Sequence, residues 1–182
     1  MKDALIIVDM QNDYFPGGPM ELNGMETAAE NARELLAFYR ADETDIFYIQ
    51  HLSVRKEAGF FLPDTRGVEI HPTLTPLPDE RVVKKHYPNS FRETELLDIL
   101  KAGAIDQLTI CGAMSHMCID ATTRAAFDLG FRCRVVTDGC ATRDLIFEGE
   151  TIPAATVHGA FMAALSPIYA ALKTTREITG SA

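Results

Sequence analysis

Three stretches of this sequence place chemically useful side chains at the ends of apolar runs. Asp9 closes "ALIIVD" (4–9), Lys84 and Lys85 close "RVVKK" (81–85), and Cys118 sits in "GAMSHMCIDATTRAA" (112–126), just past "QLTIC" (107–111). A carboxylate, an ammonium and a thiol are the base, the cation and the nucleophile of covalent acyl transfer. Each also has an ordinary reading. Cys118 is equally a small apolar residue on a helix face shared with Ile119, Thr122, Ala126 and Leu129. Asp9, or Asp13 beside it, equally caps a turn, and a Lys-Lys-His86 run is equally a solvated surface. His116 stands two residues before Cys118, but that spacing in a loop does not aim one at the other. His51 and His71 fall in a long irregular stretch without further ligands at metal-binding spacing, so the expectation is no metal.

These residues need elements to position them. "ALIIV" (4–8), "DIFYI" (45–49), "RVVK" (81–84), "QLTIC" (107–111) and "RCRVVTD" (132–138) read as short buried strands, with a sixth near "YAALK" (169–173). Between them lie helical patterns at 27–40, 93–103, from about Cys118 to Leu129, and at 152–165. In the first, Ala28, Ala32, Leu35, Leu36 and Tyr39 recur on one face. Strand–helix alternation with continuous apolar strands implies a parallel sheet covered on both faces. In such sheets ligands sit beyond the carboxyl ends of the strands, where Asp9, the lysines and Cys118 fall. The segment 51–80, with six prolines or glycines dispersed through it (Gly59, Pro63, Gly67, Pro72, Pro76, Pro78), shows no sustained period and reads as a functional loop or a set of short elements.

Composition narrows the classes. The chain has 182 residues, a size that suits one domain over 1–182. A formal charge of -9 with no basic stripe argues against nucleic acid. No apolar run approaches the length of a membrane span, and the start "MKDALIIVDMQ" is too short in its apolar part for a secretory signal. The expectation is a cytoplasmic chain whose cysteines (Cys111, Cys118, Cys133, Cys140) are reduced thiols.

"ALIIVDMQNDYF", "KKHYPNSFRET", "LTICGAMSHMCIDATTRAAFDLGF" and "RVVTDGCAT", in that order, resemble the isochorismatase-like cysteine hydrolases. The resemblance implies a three-layer α/β fold with a six-stranded parallel sheet ordered 3-2-1-4-5-6. It also implies a triad of Asp9, Lys85 and Cys118, Lys85 being preferred to Lys84 because Phe91 follows it by the motif's interval. A cis peptide just before Ser115, at Met114–Ser115, is implied as well, with the backbone N–H groups of Met114 and Cys118 forming an oxyanion site.

The resemblance favours cleavage of a small amide, carbamoyl or ureido C–N bond through a Cys118 thioester, without a cofactor. The alternatives are isochorismatase-type vinyl-ether hydrolysis with Asp9 as acid, a metal-dependent nicotinamidase, a non-catalytic binding module, and a redox switch at Cys118. The metal branch carries an Asp-x-His run where this chain reads "YIQHLSVRK", so a metal is not expected. Substrate-binding residues are expected among Asn12, Phe15, Phe60, Phe61, Met114 and Ser115, with Phe60 and Phe61 equally readable as loop anchors. The resemblance also implies a dimer or tetramer, with apolar surface near "HGAFMAAL" (158–165) as one candidate contact.

Overall fold

A computed structural model describes residues 2–180. Six parallel strands form the central sheet: β1 (Asp3–Val8), β2 (Asp45–His51), β3 (Arg81–Lys85), β4 (Gln107–Ala113), β5 (Arg132–Ala141) and β8 (Ala171–Lys173), in the order β3-β2-β1-β4-β5-β8. β6 (Leu145–Phe147) and β7 (Glu150–Ile152) make a separate antiparallel hairpin, so the sixth strand of the sheet is the eighth in the chain. The helices are α1 (Met25–Ala41), α2 (Leu96–Ala102), α3 (Asp120–Asp128), α4 (Ala154–Leu165) and α5 (Thr175–Thr179).

The layers follow from the period of two along a strand. Leu5 and Ile7 of β1 join the cluster that holds Ala28, Ala32, Leu35, Leu36 and Tyr39 of α1. Ala4, Ile6 and Val8 point the other way, into a cluster with Leu96 and Leu100 of α2, Ala126 of α3, and Met162 and Leu165 of α4. With both faces covered, the central strands are apolar throughout, as the sequence pattern requires.

Local details differ from expectation. Cys118 does not open α3. Residues Ser115–Ile119 form a single wide turn, in which Ile119 N–H reaches back to Met114 O at 3.2 Å, and α3 begins only at Asp120. The cis linkage lies between Ala113 and Met114, one bond earlier than expected. Leu129, expected on the apolar face, is 42% exposed beyond the end of α3. The 51–80 stretch holds three short 3-10 turns, and Gln11 forms an isolated antiparallel bridge with Ile70, which pins the loop to the end of β1. Glu148 and Gly149 both have positive φ, the geometry of a two-residue hairpin turn, which is why β6 and β7 pair.

Two backbone features shape the sheet end that carries the chemistry. β4 passes so close to β1 at Gly112 (φ +128°) that a Cβ there would lie 2.0 Å from Val8 O. Pairing with β5 then jumps from Ile110–Val135 to Gly112–Cys140, a bulge that bends β5 beside the site. Two surface clefts, one of about 850 Å³ bordered by Arg40, Asp45, Arg81 and Asp98, and one bordered by Phe127, Phe131 and Tyr169, lie toward the amino ends of the strands. They are remote from every residue discussed below.

Candidate active site

Asp9 follows the last residue of β1, Lys85 is the last residue of β3, and Cys118 sits in the turn between β4 and α3. Sheet order brings the three together although 76 and 33 residues separate Lys85 from its two partners. Lys85 Nζ donates to Asp9 Oδ2 at 2.7 Å and to Cys118 Sγ at 3.2 Å. Strand alternation settles which lysine turns inward: Val83 and Lys85 are buried while Val82 and Lys84 are exposed. Asp9 and Lys85 have no exposed surface and Cys118 has 4%.

Asp9 has φ +52°, an uncommon conformation for a residue other than glycine, and its N–H is held by Ile49 O of β2. That conformation turns the carboxylate across the strand ends. Among the described residues its Oδ1 is buried without a hydrogen-bond partner. An orphaned carboxylate oxygen beside a thiol is a ready proton acceptor.

Electrostatics follow from burial. Desolvation pushes the Cys118 thiol well above its ordinary value, the Asp9 carboxylate adds to the rise, and the Lys85 ammonium opposes it. Cys118 therefore rests as a thiol and needs a base to become a nucleophile. Burial pulls Lys85 down, but Asp9 and Cys118 outweigh it, and the ammonium is held above its usual range. Tyr14 is buried alongside; desolvation and then the charges of Cys118 and Asp9 raise its hydroxyl.

The sequence did not single out His51 or Gln11 as parts of the site. His51 ends β2, is paired in register with Lys85, and sets its Nδ1 3.0 Å from Lys85 Nζ. Gln11, fully buried, accepts from His51 N–H and donates to the carbonyls of His51 and Val68, clamping β2 and the loop to the β1 end. The signal for Gln11 was a polar residue three positions beyond an apolar strand.

The other expected contacts are placed differently. Asn12 donates its Nδ2 to Arg66 O, and buried Phe15 stacks on His71 at 3.6 Å between ring centroids. Phe61 is wholly buried, 4.5 Å from the Tyr14 ring, and acts as a loop anchor; Phe60 packs at 5.1 Å from it and keeps some exposed surface. Ser115 Oγ is buried against His158 Nδ1 (2.8 Å) and Ala141 O, so it ties the turn to α4. His116 meets Thr142 Oγ1 at 2.6 Å and the Phe161 ring, and is not the partner of Cys118. Met114 is nearly buried beside the turn. Arg143, which follows β5, is exposed and touches Met20 Sδ; among the described residues it has no carboxylate partner. Its charge bears on both Tyr14 and His116.

Asp9, His51 and Cys118 bring ligand-type atoms within 4.8 Å of one another. A metal does not fit them. The Lys85 ammonium already bonds Asp9, His51 and Cys118 from between them, and a second cation would lie against it.

A buried Asp–Lys pair joined to a thiol at the carboxyl edge of a 3-2-1-4-5 parallel sheet agrees with the comparisons to known proteins. The family described as Isochorismatase domain matches residues 3–176. The chain belongs to the isochorismatase family. It is 49% identical over 175 residues to YddQ, an uncharacterised isochorismatase family protein of Bacillus subtilis, spanning 96% of this chain and 97% of that one. An isochorismatase hydrolase structure from Oleispira antarctica superposes with a TM-score of 0.95 at 48% identity, covering 99% of this chain and 97% of the other. A maleamate amidohydrolase of Pseudomonas putida is 28% identical over 154 residues, 75% of this chain and 71% of that protein. This isochorismatase-family chain is thus a hydrolase with the six-stranded sheet of its relatives. No helix among its described residues is long and apolar enough to cross a membrane.

Proposed function

We propose that the protein is a cysteine amidohydrolase that cleaves the C–N bond of a small amide, carbamoyl or ureido substrate. The observation that carries this reading is the Lys85 ammonium bonded to both Asp9 Oδ2 and Cys118 Sγ, with Asp9 Oδ1 unpartnered beside them. Asp9 takes the thiol proton, and the Cys118 sulfur attacks the carbonyl carbon. The N–H groups of Met114 and Cys118 receive the oxyanion; the flanking N–H groups of Met117 and Ile119 are spent on Met114 O. Asp9 returns the proton to the departing nitrogen, which leaves as ammonia or an amine. Water, deprotonated by Asp9, then attacks the thioester, releasing the acid and restoring the thiol.

Two further features refine the reading. Arg143 lies after β5, at the sheet end that carries the triad; among the described residues its guanidinium has no carboxylate partner, and such a group recognises carboxylates. The relative named maleamate amidohydrolase acts on an amide that bears a carboxylate, which supports an anionic amide for this chain too. The outward face of α4 (Ala155, Gly159, Ala160, Ala163, Ala164) and the exposed Ile146 and Phe147 support a homo-oligomer. The chain then works as one cytoplasmic domain without a cofactor. Ammonia release from a panel of small amides and ureido acids tests the reading, and activity surviving Cys118→Ala would transfer it to ether hydrolysis with Asp9 as acid.

A further inference from the structure

We infer that His51, as a neutral imidazole, is the residue that positions the Lys85 ammonium against Asp9 and Cys118. A lysine ammonium has three N–H donors and no acceptor. Here all three have a partner: Asp9 Oδ2 at 2.7 Å, His51 Nδ1 at 3.0 Å and Cys118 Sγ at 3.2 Å. The ring nitrogen facing Nζ must therefore be unprotonated, with the proton on Nε2. With Asp9 and Cys118 alone, one N–H of the buried ammonium would have no acceptor; His51 Nδ1 pairs it and tethers Nζ where it reaches both the carboxylate and the sulfur.

The surroundings hold the imidazole in that role. Gln11 grips both the N–H and the carbonyl of His51, and the Phe61 ring packs 5.9 Å from its own. Four charged or titratable groups face the ring or its partners: Asp9 from the end of β1, Lys85 and His86 from the end of β3, and Cys118 from the turn after β4. Burial first, then Lys85 and His86, pull the imidazole down to about 4, while Asp9 opposes them. His51 is thus neutral where the enzyme would work. Protonation removes the third acceptor and sets a cation against Lys85.

This inference rests on Cys118 being the nucleophile, yet its test needs no substrate. Nitrogen-15 histidine spectra of the wild-type protein should show His51 as the Nε2–H tautomer at pH 7, neutral down to about pH 5. An Nδ1–H tautomer or an imidazolium at pH 7 would overturn the assignment. Alkylation of Cys118 gives a second readout. His51→Leu should label about tenfold more slowly, because the misplaced ammonium no longer favours the thiolate. His51→Asn, whose side-chain oxygen can reach the same place, should recover most of the rate. Equal slowing in both variants, or none in either, would overturn the proposal, and the wild-type spectra decide alone if the leucine variant does not fold. A silent amide screen with the expected tautomer would instead count against the amidase reading only.

Discussion

Lys85 Nζ lies 2.7 Å from Asp9 Oδ2, and neither side chain has any exposed surface. Two opposite charges buried together repay their desolvation only with good geometry and further hydrogen bonds, which Cys118 and His51 supply. The pair is a poor device for stability and a good one for chemistry, since it keeps a base and a cation against a buried thiol.

Removing one partner leaves the other charge uncompensated. Lys85→Ala should cost about 3–5 kcal/mol of stability, with Asp9→Asn less severe because the amide oxygen can still accept a hydrogen bond from the Lys85 ammonium. Chemical denaturation of the two variants checks the order; equal, small losses would show that the pair is not desolvated as described.

The same variant predicts a gain. Without the ammonium, Asp9, His51 and Cys118 present O, N and S ligands around one point, a set suited to zinc. One equivalent of Zn²⁺ should raise the melting temperature of Lys85→Ala by on the order of 5 °C and leave the wild type unchanged. A zinc-dependent shift in the wild type would mean the ammonium does not fill the site.

The sheet end depends on Gly112. A Cβ there meets Val8 O at 2.0 Å, at a φ that L residues rarely adopt, so backbone must move. Gly112→Ala should lose more than about 4 kcal/mol or fail to fold, measured by yield and circular dichroism. A soluble variant with wild-type melting would contradict the close approach of β1 and β4.

Acid should weaken the fold through His51. Its folded value, about 4, lies below the ordinary 6.5, so the unfolded chain binds the proton more tightly. The associated stability is complete above pH 6.5 and is lost as pH falls toward 4. Melting temperatures between pH 7 and 4 should fall more steeply for the wild type than for His51→Asn; parallel curves would show that His51 titrates normally.

Arg143 sets the expected charge preference. Arg143→Ala should raise KM for carboxylate-bearing amides about tenfold and leave neutral amides unaffected, since it removes a charge-assisted contact distant from the reacting bond. A matching loss on both substrate types would make the residue structural.

Much of this arrangement was legible in the sequence because it depends on local pattern. Apolar strands with a polar terminal residue gave Asp9 and Lys85 their positions, and the 3.6 period gave α1 its buried face. What was missed depends on neighbours remote in sequence. His51 gains its role only from register with Lys85 in β3, and Gln11 only from the β2 end and Val68. The three-residue strands β6 and β7 are too short for any period, and their Glu148–Gly149 turn is a weaker signal than Asn-Gly. Phe61 looked available for substrate because nothing in its spacing reveals Tyr14 packed over it.

The central claim is that the Cys118 sulfur attacks a carbonyl with Asp9 as base. Ammonia release from a small carboxylate-bearing amide, compared between the wild type and Cys118→Ala, tests it most directly. The account predicts release by the wild type and a loss of at least about a thousandfold in the variant. Comparable release by both would contradict it.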